Sequence, residues 1–176
     1  MSKTLERDWL LSGTQIFLTV IMWLLIVATV ALVTGAGVFI IVSLNAAFGW
    51  AIIPLAWPAA QALLVALLLG LGALLAWCSA RIAKLLRALV ASVATNPFIP
   101  ANADRLERMG WLAVAIEGVK LAITTVASQI TISAVGIRRH GFELQLESVV
   151  LILLLFILAR VFRQGVAMRG ELEGTV

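Results

Sequence analysis

Glu117 and Lys120 stand three residues apart in an apolar run, and they are the strongest candidates for chemistry in this chain. The i,i+3 spacing puts them on neighbouring parts of one helix face. An isolated charge inside a membrane span is expensive, so a bundle interior, a wet cavity or mutual pairing is expected. Thr124, Thr125 and Ser128 continue the polar character over the next turns. Three readings stay open. One is a paired network helped by these hydroxyls. The second is a ligand, proton or ion site on Glu117, Lys120, Thr124 and Ser128. The third is snorkelling of the long side chains toward the boundary.

The residue patterns of an enzyme are otherwise missing. His140 is the sole histidine, with no cysteine or carboxylate pattern around it that resembles a metal site. An ordinary solvent-facing loop residue is expected there. Cys78 is the single cysteine, which excludes an internal disulfide; core packing is its expected role, with redox switching the alternative. Asp104 and Glu107 are three apart, but a general acid and base need a cleft and suited pKa values as well. No glycine-rich phosphate loop and no nucleophile elbow is present. The expectation is a non-enzymatic protein with no catalytic residue, no cofactor and no metal.

The elements that position these residues follow from composition. Of 176 residues, 62% are hydrophobic and 12% charged, with a mean hydropathy of +1.10. Soluble domains carry about 25% charged residues, so the chain reads as one membrane domain over 1–176. The first span lies within residues 15–42, where Gly35 and Gly37 mark a close contact or a bend. Residues 43–58 form an uncharged connection holding Gly49, Trp50, Pro54 and Trp57, with a surface or re-entrant course open. The second span covers about 59–79, with Gly72, Ala76 and Ala80 as a small-residue face for packing within the bundle or between copies. It continues into an amphipathic basic extension bearing Arg81, Lys84 and Arg87. The third span runs from Trp111 to about 135, and the fourth over about 149–163, followed by a short tail over 164–176. The alternation "ELQLE" before the fourth span is too short for a sheet. The fold class is therefore all-α: four transmembrane helices in antiparallel pairs, with an amphipathic segment and elbow over 80–110 between the second and third.

Charge sets the orientation. The N-terminal segment, the central connection and the C-terminal end carry ten of the thirteen basic residues, and a four-span topology places them on one side. Arg138 and Arg139 fall on the other, and Lys120 lies within a span. The positive-inside rule then puts both termini and the central connection in the cytoplasm. The N-terminal apolar run is too long for a signal-peptide core and is expected to stay attached as an anchor. Trp9, Trp77 and Trp111 fall near the cytoplasmic boundary as an aromatic belt. The net charge of +4 fits lipid headgroups, and direct nucleic-acid binding is not expected.

The stretch "NPFIPANADRLERMG", 96–110, is the most polar and punctuated of the central connection. Asn96 is expected to cap a short turn or helix with Pro97 at its first position. Phe98 returns to the membrane face, and Pro100 restricts the backbone again. Asn102 is expected to cap the following helix, with Asp104 favourable near its positive end. Leu106 and Met109 turn toward Ala113, and Arg105 and Arg108 share an outward side. The stretch thus reads as a rigid cytoplasmic elbow, closed by Gly110, either purely structural or doubling as a docking surface.

"NPFIPANADRLERMGW", together with the ending "LARVFRQGVAMRGELEGTV", resembles the bacterial DUF2975 family of small integral membrane proteins. The likeness covers the four-helix layout and singles out Pro97, Phe98, Asn102, Arg105, Leu106 and Gly110, then Phe162, Arg163, Gly165, Glu171, Glu173 and Thr175. It implies a multi-pass protein of the bacterial inner membrane. It also implies a partner, a small helix-turn-helix transcriptional regulator held or released at the cytoplasmic face. The family often carries a more strongly charged segment before its final threonine, and here "MRGELEGTV" keeps one arginine and two glutamates.

The leading expectation is a membrane regulator or binding protein. Its docking candidates are Arg105, Arg108, Arg81, Lys84, Arg87, Phe98, Arg163, Glu171 and Glu173, and its elbow is Asn96, Pro97, Pro100, Asn102, Leu106 and Gly110. The alternatives are a small oligomeric transporter or channel-like protein using the polar face of the third span, and a structural membrane subunit. Membrane lipids and a homo-oligomer complete the expected partners.

Overall fold

The computed structural model describes residues 2–49, 58–93, 96–129 and 146–173, giving the backbone alone for 2–11, 172 and 173. Trp50, Pro54, Trp57, Thr131, Ser133, Arg138, Arg139, His140, Thr175 and most of "ELQLE" lie outside the described residues, as do the side chains of Trp9 and Glu173. Four helices follow one another: α1 (Ser2–Phe48), α2 (Ala59–Val93), α3 (Pro100–Gln129) and α4 (Leu146–Glu173). No strand occurs among the described residues. Each helix is long and apolar enough to cross a bilayer. The chain is an all-α four-helix membrane bundle.

Helix boundaries differ from the sequence expectation wherever a helix had no chemical reason to stop. α1 runs six residues past 42, because "SLNAAF" holds neither proline nor glycine. It stops at Gly49, whose φ of 66° is left-handed, the conformation that commonly ends helices. The first connection is thereby shortened. α2 opens behind Pro58, whose carbonyl accepts from the amides of Gln61 (3.0 Å) and Ala62 (3.1 Å). The basic extension is simply the last turns of α2. α4 continues through the expected tail to Glu173, so residues 164–173 are helical.

The chain groups into two compact units. The first comprises Met1–Leu24, Cys78–Ala115 and Leu144–Val176, and the second comprises Leu25–Trp77 and Ile116–Glu143. By sequence the first unit holds ten of the thirteen basic residues. Its core is Leu106, Met109 and Ala159, with Ile82, Leu85, Leu89, Leu155 and Phe162 packed against it. Cys78 is buried, as a small packing residue.

In the second unit α1 and α2 lie close. A Cβ on Gly72 would touch Leu32 at 3.5 Å, one on Gly35 would touch Leu69 at 3.4 Å, and Ser43 Oγ donates to Ala59 O at 3.0 Å. Gly35 is thus a contact in an unbroken helix. The buried residues of α2 in this unit are all alanines, Ala62, Ala66, Ala73 and Ala76. Their 4-7-3 spacing is that of a helical seam, and small residues let backbones approach where lipid supplies no hydrophobic drive.

Candidate functional site

Among the described residues, the densest polar chemistry is where α2 gives way to α3. α3 begins at Pro100, where a missing N–H costs nothing because the first amides of a helix have no intrahelical acceptor. The Asn102 amide donates to Ile99 O at 3.0 Å, which places Asn102 inside the first turn. It is not the cap of α3, contrary to expectation. Asn96 does not open a helix with Pro97 either: its own amide donates to Ser92 O at 2.9 Å, and the next helix starts at Pro100.

Asn102 has another task. It is fully buried, and burying an amide without partners is costly. Its Nδ2 donates to Pro97 O at 2.9 Å. Its Oδ1 accepts from Ser92 Oγ at 2.6 Å and from Arg105 Nη1 at 2.7 Å. Arg105 Nη1 also lies 2.9 Å from Ser92 Oγ and 3.2 Å from Ala88 O. One asparagine therefore ties the connecting segment to both helices it joins. Leu106, one turn along, is 1% exposed and fills the core below it.

This arrangement separates two arginines that the sequence grouped together. Arg105 is half-buried and turned onto α2, where its guanidinium serves the packing. Arg108 is exposed. Helix geometry accounts for the difference: residues three apart are rotated by about 60°, enough to take one across the edge of a buried face.

α4 closes over the same segment. The Phe98 ring lies 5.8 Å from that of Phe162, and it occupies the space a Cβ on residue 165 would need. That Cβ would stand 2.6 Å from Phe98 Cδ1, so glycine is required for this approach. Arg163 Nη2 donates to Glu107 Oε2 at 2.6 Å and reaches Asp104 Oδ1 at 3.5 Å. Arg169 Nη1 donates to Asn96 Oδ1 at 2.9 Å. Further along, Gly110 faces the Phe156 ring, where a Cβ would stand at 3.0 Å, and Trp111 meets the same ring edge-on at 5.6 Å. Sequence reading missed Ser92, Phe156 and the two carboxylates as acceptors for Arg163. The one available signal was two acids, three apart, on α3 and the arginines of a distant helix.

The remaining candidates are distributed differently. Arg87 Nη1 donates to Thr19 Oγ1 at 3.2 Å, joining α1 to α2. Lys84, Arg81, Arg160 and Glu171 are exposed. In the second unit, Lys120 Nζ and Glu117 Oε1 pair at 2.8 Å. Thr124 and Thr125 donate to Leu121 O and Ser128 donates to Thr125 O, all within their own helix. No group of three or more metal-ligating side chains occurs among the described residues.

The fold and these contacts define a multi-pass membrane bundle whose C-terminal helix is fastened onto the segment between α2 and α3. Comparisons with protein-family models, with curated proteins and with solved structures give no match. The likeness to DUF2975 rests on the motifs quoted above.

Proposed function

We propose that the chain is a non-enzymatic regulator or binding protein of the bacterial inner membrane. In this reading its helices form antiparallel pairs, with both termini and the 96–110 elbow in the cytoplasm. The gathering of ten basic residues into the first unit supports that orientation. The observation that carries the functional reading is the fastening of α4 to the elbow. Phe98 against Phe162 and Gly165, Arg163 against Glu107 and Asp104, and Arg169 against Asn96 make a small set of contacts near the membrane face. Exposed pairs of this kind are individually weak. The set is therefore suited to open and close without unfolding the bundle.

The proposed partner is a small helix-turn-helix transcriptional regulator of mixed charge, as the DUF2975 resemblance implies. Arg108 and the α4 end near Glu171 would meet it. Arg105, engaged on α2, holds the surface in place. Partner capture from native membranes tests this. Recovery of a soluble DNA-binding protein, lost with Arg108→Glu or on deletion of 171–176, supports regulation. Selective flux in vesicles abolished by Glu117→Gln, with no such partner, would replace it by transport. If both measurements are negative, a structural subunit is the remaining reading.

A further inference from the structure

A groove of about 670 Å³ opens between α1 and α2 in the first unit. Its size is that of a ligand site, although it is open on one side. One wall carries Lys84 and Arg87 from α2, and the other carries Ser12, Gln15 and Thr19 from α1. None of the described side chains lining it is negatively charged. Thr19 Oγ1 accepts from Arg87 Nη1 and donates to Gln15 O at 2.7 Å, which holds the guanidinium at the groove. Lys84 is exposed three residues before Arg87 on the same helix. The apolar floor comes from Ile16 and Val20, on the turns of α1 that enter the membrane span.

Two cations, two hydroxyls and an amide beside a strip of aliphatic carbon match one chemical class. We propose that this groove binds an anionic phospholipid, with the phosphodiester between Lys84 and Arg87 and an acyl chain along Ile16 and Val20. An arginine fork suits a phosphate bidentately, and a lysine adds a point charge. A zwitterionic headgroup would bring its own ammonium toward two like charges. Ser12 and Gln15 supply partners for hydroxyls of a phosphoglycerol headgroup. The free phosphate ion shares the polar half of this chemistry but cannot use the aliphatic strip.

Native mass spectrometry of the full chain in detergent micelles tests the site, with added phosphatidylglycerol, phosphatidylcholine, phosphatidylethanolamine or inorganic phosphate. Retention of phosphatidylglycerol above both zwitterionic lipids is expected. Lys84→Gln should weaken it about fivefold, the usual effect of one juxtamembrane cation, and Lys84→Gln/Arg87→Gln about twentyfold or more. Arg87→Lys keeps the charge and guards against a folding defect; it should retain most of the preference. Arg108→Gln, outside the groove, should leave retention unchanged. Equal retention by wild type and the double variant would overturn the assignment. So would equal loss with Arg108→Gln, or displacement of the lipid by inorganic phosphate at matched concentration, which would mark a free-anion site.

Discussion

Asn102→Ala should destabilise the bundle without affecting insertion, since the apolar spans are untouched. The substitution removes the Nδ2 donor to Pro97 O and the Oδ1 acceptor shared by Ser92 and Arg105. A neutral hydrogen bond contributes about 0.5–1.5 kcal/mol net, and one from a charged donor about 1.5–3. Part of the loss is recovered locally. Ser92 Oγ can donate to Leu89 O at 2.9 Å, and Arg105 keeps Ala88 O and Ser92 Oγ. The expected net cost is about 2–4 kcal/mol. Asn102→Asp keeps Oδ1 and sets a carboxylate beside Arg105, but turns an oxygen toward the Pro97 carbonyl. Its cost should be smaller, about 1–2 kcal/mol. Reversible unfolding of the full chain in mixed micelles, followed by tryptophan fluorescence across an SDS titration, reads both. An alanine variant within about 0.5 kcal/mol of wild type would refute the tie between the helices. An aspartate variant less stable than the alanine one would refute the assignment of Oδ1 to Arg105.

Three further outcomes follow from single contacts. Gly165→Ala should cost about 1–3 kcal/mol in the same titration because its Cβ meets the Phe98 ring, and Phe98→Ala in the same chain should cancel most of that added penalty. Gly110→Ala, with a Cβ at 3.0 Å from Phe156, should cost about 1 kcal/mol and be relieved by Phe156→Leu. Glu117→Ala should lower the yield of inserted protein in a microsome insertion assay by leaving Lys120 without its 2.8 Å partner. The double change Glu117→Ala/Lys120→Ala should restore that yield, and a double variant as poor as the single would exclude a pairing role.

The spans were legible because lipid imposes a simple rule: residues that face it must be apolar over about 20 positions. The stops were legible where a breaker stood, as at Pro58 and at Asn96–Pro97. They were misread where polarity alone was taken for a stop. "SLNAAF" at the end of α1 and "RQGVAMRGEL" in α4 are polar enough for loops but contain nothing that opposes a helix beyond tolerated glycines. The ion pair of Glu117 and Lys120 was legible from local spacing alone. The role of Asn102 was not. An asparagine followed by Ala103 and Asp104 satisfies the local pattern of a helix cap. Only the arrival of Ser92, ten residues back, makes it a buried junction instead. Arg105 and Arg108 show the same limit, because which of two arginines turns inward depends on the neighbour that α3 packs against.

α4 is a single unbroken helix of 28 residues, about 42 Å long, against a hydrocarbon core of roughly 30 Å. A rod of this kind passes axial displacement along its length with little loss. A slide of one residue moves every side chain on it by about 1.5 Å. Arg163 sits 2.6 Å from Glu107, so one such step outward stretches the pair toward the limit of a salt bridge, and two steps part it. Bilayer thinning or thickening by a few ångströms is of that order. The fastening of α4 thus fixes where an axial displacement of that helix is first felt, at the Arg163–Glu107 pair.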